Sequence, residues 1–279
     1  MYKRQQNILG YKHYADDVVD YFVKKSIDNG IDIIRTFDAL NDLRNMQTAV
    51  KACKQYGGTA EVAMSYTISP VHTEEYFVEL ARRIEDMGAD TICIKDMANL
   101  LLPYAAYSLV KKLKKAVKLP IHLHTHNTTG TGDMVYLKAI EAGCDIVDTA
   151  LSPLANGTSQ PATESLVATL EGTEYQTGLD MQMLSKAAEH FRKVADRLTS
   201  LFHDERDAYQ RYWDDIHPFV KYGCMRDAKF FDQVKDTLLF KTTKGEYMTL
   251  QEYLAKNEGA LGKKVVYTND PTRQAASVG

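Results

Sequence analysis

Strict alternation of strand-like and helix-like segments predicts an α/β protein built on a parallel sheet. Three observations carry that prediction. The strand-like segments are nearly continuous in apolar residues, as expected of strands covered on both faces. Segments with helical spacing separate them one by one. Finally, Gly30-Ile-Asp-Ile-Ile, Gly88-Ala-Asp-Thr-Ile and Gly143-Cys-Asp-Ile-Val147 each join a helix to a strand in the same way, 58 and then 55 residues apart. That step is about two β-α units, and an even-unit echo fits a barrel of repeated units better than an open sheet with a switch point. No GxGxxG or GxxxxGK[ST] follows any strand, which counts against a nucleotide-binding sheet.

The elements follow in order. The polar start, Met1 to Asn7, is expected to enter the fold without an opening strand. Val18, Val19, Phe22, Val23 and Ile27 recur at helical spacing before Gly30, a C-cap residue. Strands are predicted at 31–37, 59–67, 90–95, 121–126 and 145–151. Helices are predicted at 42–55, 73–87, 103–117, 134–142 and 163–170, with Pro103 opening one and Gly57, Gly88 and Gly143 closing others. About five strands thus precede residue 152, whereas a closed β/α barrel has eight strands over roughly 250 residues. The expected fold is an incomplete parallel β/α (TIM-type) barrel lacking its first strands, residues 1–190, followed by a small α+β segment, residues 191–279. In that second part, 202–222 is predicted helical with Tyr209, Tyr212, Trp213, Ile216 and Val220 on one face. Residues 230–240 run from helix into a short strand, Thr249 and Glu252 form a capping box, and 264–268 is a short strand.

Composition narrows the function. Hydrophobic residues make up 44% and charged residues 25%, with a formal charge of −3, which gives no reason to expect a nucleic acid or an anionic membrane as partner. No apolar run approaches the roughly 18 residues of a membrane span, and the start has no signal-peptide pattern. Four scattered cysteines without a CxxC pair point to reduced thiols and a cytoplasmic protein.

Reactive groups of a parallel barrel sit at the C-terminal ends of its strands. Arg35 and Asp38 flank one end, Lys95 and Asp96 close another, and His124 and His126 close the next. Asp148 and Thr149 lie in the last strand, with Thr158, Ser159 and Gln160 in the loop beyond. In Ile121–His126, His122, His124 and His126 share a face. Such a cluster suits a metal or, equally, a solvated polar rim. Lys95, at the end of an apolar strand, has three readings, since a buried ammonium is costly: paired with an acid, a Schiff-base amine, or carbamylated and acting as a carboxylate-like ligand.

Six motifs together resemble one family. They are Gln6–Asp17 (QNILGYKHYADD), Arg35–Asp42 (RTFDALND), Ser65–Thr73 (SYTISPVHT), Ile94–Ala98 (IKDMA), Leu123–His126 (LHTH) and Gly157–Pro161 (GTSQP). The family is the biotin-dependent carboxyltransferases, namely the oxaloacetate decarboxylase α subunit and the carboxyltransferase domain of pyruvate carboxylase, over about residues 5–190. The resemblance implies a metal-dependent carboxyl transfer between oxaloacetate or pyruvate and biotin. It implies His124, His126 and a carbamylated Lys95 as metal ligands, and Thr158 as the hydroxyl that shuttles a proton between enolate and biotin. His122, two residues deeper on the same face, is left a packing or supporting role. The resemblance also implies Tyr11, Ser159 and Gln160 around biotin or substrate, and Arg4 at a substrate carboxylate. The implied cofactors are a divalent metal (Zn, Mn or Co) and biotin carried on a partner protein or domain. Membrane decarboxylase subunits would be reached through a parent complex, with no direct membrane insertion. Asn99 stands where the family usually has glycine, and Asn127 where it often has alanine or aspartate. The family's first strand supplies a fourth, aspartate ligand that has no counterpart here, so the chain as written is expected to be inactive and its standing as an enzyme is uncertain.

Asp204–Tyr267, above all Tyr212–Cys224 (YWDDIHPFVKYGC), Leu239–Thr243 (LFKTT) and Thr249–Tyr253 (TLQEY), resembles instead the middle domain of HtpG-type chaperones. This reading makes the protein a joined, chimeric chain with its junction at about 185–195. The alternative function is a chaperone-like fragment that binds client proteins and has no ATPase of its own.

Overall fold

The computed structural model describes residues 2–3, 13–226, 228–261 and 264–265. The chain divides into two compact units, Met1–Ser185 and Lys186–Gly279.

The first unit holds a parallel sheet of six strands in sequence order: β1 (Tyr2–Lys3), β2 (Ile33–Asp38), β3 (Thr59–Ser65), β4 (Thr91–Asp96), β5 (Ile121–Thr125) and β6 (Ile146–Val147). Between them run α1 (Asp16–Asp28), α2 (Gln47–Gln55), α3 (Glu74–Asp86), α4 (Pro103–Ala116) and α5 (Gly132–Glu141), and α6 (Thr163–Leu170) follows β6. The sheet is open among the described residues, with β1 and β6 at its edges.

Two expectations are corrected. The polar start does pair: Tyr2 and Lys3 lie opposite Ile34 and Arg35 in parallel register. The run 145–151 is not one strand. Its ladder with β5 covers only Ile146 and Val147, and Ala150 then pairs with Ala162 instead. The backbone has left β5 to meet the segment before α6.

The three echoed glycines all close helices in the left-handed region, at φ 91° (Gly30), 94° (Gly88) and 100° (Gly143), where only glycine is free of a Cβ penalty. The aspartates two residues beyond Gly88 and Gly143 have a matching task. Asp90 donates its backbone N–H to the Ala60 carbonyl, and its carboxylate accepts from the Ala60 N–H, both at 2.8 Å. Asp145 does the same for Ile121, at 2.9 and 2.7 Å. Each aspartate therefore clamps the start of the strand before its own.

The strands are apolar on one face and ionic on the other. Ile34, Ala60, Val62, Met64, Ile92, Ile94, Ile121 and Leu123 form the main core with helix residues such as Val19, Phe77, Ile84, Leu109, Leu113 and Tyr136. The alternate positions, Arg35, Glu61, Cys93, Lys95, His122 and His124, are also buried. The apolar runs visible in the sequence thus conceal a period-two pattern whose second face is polar and dry.

The second unit contains α8 (Arg206–Arg226), α9 (Ala228–Val234), a two-strand antiparallel ladder of β7 (Phe240–Lys241) and β8 (Tyr247–Met248), and α10 (Leu250–Leu261); α7 (Met181–Asp204) precedes them. Helix 202–222 is broken at Glu205 into α7 and α8. Tyr209, Trp213, Val220, Val234 and Leu239 form a core, with Trp213 Nε1 donating to the Leu239 carbonyl at 3.0 Å. Tyr212 is 54% exposed, so the buried stripe follows 209, 213, 216 and 220 and leaves 212 outside it. The capping box is present: Thr249 N–H donates to Glu252 Oε2 at 2.7 Å and Glu252 N–H to Thr249 Oγ1 at 3.1 Å. Lys264 and Val265 are in no strand, and the remainder of that predicted strand lies outside the described residues.

Candidate active site

Parallel register sets Lys95 beside His124 at the C-terminal ends of β4 and β5. Lys95 is buried, with Nζ 4.8 Å from the Phe37 ring centroid and in contact with Met97 Sδ. His124 is buried and His126 partly so; their Nε2 atoms face one another at 3.1 Å. On each ring the other nitrogen meets an oxygen that can only accept. His124 Nδ1 lies 2.6 Å from Asp148 Oδ2, and His126 Nδ1 lies 2.5 Å from the Thr158 carbonyl. A carbonyl and an ionised carboxylate have no proton to give, so both Nδ1 atoms carry one. The two Nε2 atoms thus face one another while each ring's Nδ1 is already engaged by an oxygen. Neutral imidazole Nε2 with Nδ1–H engaged by an oxygen is the usual form of a histidine metal ligand. The donor set therefore fits a divalent metal at His124 and His126, with Lys95 on the adjacent strand.

Beneath the pair lies an ionic cluster that strand-end position alone did not reveal. Arg35 Nε donates to Glu61 Oε1, and Nη1 donates to Asp148 Oδ2 at 2.6 Å. His122 sits between the two carboxylates, with Nδ1 2.7 Å from Glu61 Oε2 and Nε2 2.9 Å from Asp148 Oδ1. Both ring nitrogens face carboxylate oxygens, so both donate and the ring is an imidazolium. Arg35 Nη2 lies 2.9 and 3.2 Å from the two ring nitrogens. Two cations and two anions leave the cluster neutral.

Burial and charge compete at each member. Burial by itself would lower the His122 pKa, but its hydrogen bonds and charge attraction to Asp148 and Glu61 prevail and hold it above the ordinary imidazole value. Burial would raise Glu61 and Asp148, yet both carboxyls are held below their ordinary values. His122 and Arg35 lower Glu61, while His122, His124 and Arg35 lower Asp148. Glu61, Cys93 and His122 bring ligand atoms within 4.8 Å of one another. The Arg35 guanidinium already engages Glu61, and both His122 nitrogens face carboxylates, so Glu61 and His122 belong to the ionic cluster, while Cys93 Sγ lies 3.7 Å from the Ile94 carbonyl. His122, expected to pack or support, is the cluster's central cation.

The loop after β6 places Thr158 at the surface and Ser159 and Gln160 half-buried. Asn156 and Gly157 turn through positive φ, 68° and 55°. Asn127 fastens the loop: its N–H donates to the Ser159 carbonyl at 2.7 Å and its Nδ2 to Asn156 Oδ1 at 2.9 Å. An amide, which both donates and accepts, is what this position uses. The structure thus brings His124 and His126 together, with Lys95 adjacent through the register; Thr158 reaches His126 through its main-chain carbonyl, and the carbonyls of Ser159 and Gln160 accept from Asn127 and Asn156. Arg4 and Tyr11 lie outside the described residues.

Asp38 and Asp96, the other strand-end acids, are occupied as loop builders. Asp38 Oδ1 accepts from the Leu40 and Asp42 N–H groups. The Asp96 carboxylate accepts from Ala98, Leu100 and Leu101.

The chain belongs to the HMGL-like family: residues 31–190, more than half of the chain, match that family. Within it, the chain is 56% identical over 202 residues to a pyruvate carboxylase subunit of Methanocaldococcus jannaschii, covering 72% of this chain and 36% of that protein. It is 37% identical over 250 residues to pyruvate carboxylase of Staphylococcus aureus, covering 85% of this chain and 22% of that protein. The chain is similar in fold to part of the carboxyl transferase domain of Rhizobium etli pyruvate carboxylase solved with pyruvate and biocytin. The TM-score is 0.68 at 40% identity, over 68% of this chain and 33% of that one. The chain spans about a third of the length of the Methanocaldococcus relative. No described helix is long and apolar enough to cross a membrane.

Proposed function

We propose that the first unit carries part of a carboxyltransferase site that moves a carboxyl group between biotin and pyruvate or oxaloacetate. The facing Nε2 atoms of His124 and His126 are the observation that carries this reading. The relatives named pyruvate carboxylase and the pyruvate- and biocytin-bound structure support the substrate and carrier. His124, His126 and Lys95, the last as a carbamate, would hold the metal, whose chemistry is to stabilise negative charge on the enolate oxygen. A carbamate turns a costly buried ammonium into an anion suited to a cation's neighbourhood. Thr158, in the loop that Asn127 fastens through Ser159 and Asn156, would supply a hydroxyl that can pass a proton between enolate and biotin in either direction. Arg4, Tyr11, Ser159 and Gln160 are proposed around substrate and biotin, and the biotin carrier is the proposed partner. The HtpG resemblance of residues 192–279 finds no support in these relatives. The Staphylococcus aureus alignment, at 85% of the chain, necessarily runs past residue 190.

The test is metal binding by the full chain. Co(II) titration should give one site, weakened at least about 10-fold in H124A and again in H126A. T158A should retain the metal, because Thr158 meets His126 through its main-chain carbonyl. Equal Co(II) affinity in parent and H124A would sink the proposal.

A further inference from the structure

The two metal-facing histidines are oriented by different means. His126 leans on a main-chain carbonyl, that of Thr158. His124 Nδ1 meets a side chain, Asp148, which lies two positions past the start of β6, where the strand has just ended. That carboxylate is held from three sides: Arg35 Nη1 and His124 Nδ1 meet Oδ2, each at 2.6 Å, and His122 Nε2 meets Oδ1 at 2.9 Å. Its own carbonyl accepts the Tyr136 hydroxyl at 2.5 Å. The carboxylate that meets His124 Nδ1 is therefore held in place by the ionic cluster.

We propose that Asp148 is the positioning residue of this site, resting on the metal reading above. It keeps the His124 proton on Nδ1, so that Nε2 is bare and aimed at the metal position. Without that acceptor the proton gains by moving to Nε2, where the Nε2 of His126, 3.1 Å away, accepts it. The resulting N–H···N bond occupies the ligand position and closes it to a cation. Arg35 and His122 thereby act on the site at one remove, by fixing the carboxylate in place.

The experiment compares the full parent chain with D148A and D148N. Nitrogen-15 NMR of metal-free protein, with histidine labelled and His124 assigned by its loss in H124A, reads the tautomer directly. The parent should show His124 protonated at Nδ1; D148A should shift the proton toward Nε2. Co(II) affinity, by competition with a chelator, should fall about 10- to 100-fold in D148A. Melting curves identify a variant that fails to fold. Should D148A do so, D148N preserves the shape while presenting an amide N–H where Arg35 and His122 also donate, and the same tautomer shift is expected in it. A D148A or D148N chain that folds, keeps the proton on Nδ1 and binds Co(II) within about threefold of the parent overturns the proposal. A parent that binds no Co(II) refutes the metal reading alone, because the tautomer spectrum still decides the role of Asp148.

Discussion

Arg35 has no exposed surface and its guanidinium is divided between Glu61 and Asp148. Removing one partner of such a pair strands a buried charge, at a cost of about 3–5 kcal/mol. E61A should therefore lower the unfolding free energy of the first unit by that order, measured by denaturant titration, whereas E61Q should cost less because it keeps an acceptor. The cluster also sets a pH window. Glu61 and Asp148 have lowered folded pKa values, so their contribution is complete above the ordinary carboxylate range near about 4 and is lost as pH falls through the folded values. His122 has a raised one, so its contribution is complete below about 6.5 and is lost as pH climbs through the folded value. Stability should peak between those limits, and H122Q should abolish the decline on the alkaline side. Little of this was legible beforehand. His124, His126 and Lys95 stood out by position at strand ends, but Glu61 and Arg35 lie in different strands, and only the register brings them together.

At the scale of elements, the echo reaches further than its glycines. Asp38-x-x-Asn41 after β2 and Asp96-x-x-Asn99 after β4 repeat at the same spacing, and both asparagines have positive φ, 59° and 55°. Asparagine tolerates the left-handed region better than other residues with a Cβ, which explains how Asn99 stands in a glycine position. Both side chains also work: Asn99 Oδ1 accepts from Thr129 and Thr131, and Asn41 bonds both the N–H and the carbonyl of Ser65. N41A should destabilise more than N41G by about 1–2 kcal/mol, the cost of a left-handed Cβ, in thermal melts of the two variants. Helices and strands were readable in the sequence because their glycine and proline stops are local chemistry. The early end of the strand at Val147 was not, because it depends on Ala162, a partner from beyond the following loop.

For the whole chain, the two units carry separate cores. W213A removes the buried indole of the second, and about 3–5 kcal/mol is expected for such a truncation. Calorimetry should show a transition lowered by the change while the Co(II) affinity of the first unit stays as in the parent. Loss of metal binding in W213A would show that the units depend on one another. The α/β class and the change of pattern late in the chain were apparent from periodicity. The pairing of Tyr2 and Lys3 was not, since two polar residues give no periodic signal.

The aspartate clamps of β4 and β6 bear on how the sheet comes into being. Asp90 reaches back to Ala60 and Asp145 to Ile121, and every strand pairs with its sequence neighbours. Loop closure is then modest at each step, whatever the number of strands, and contact order stays low for a parallel sheet. Growth of structure can proceed from any interior pair outward, one unit at a time. In D90N and D145N the refolding rate should fall in step with stability, as expected of contacts that form before the rate-limiting barrier is crossed.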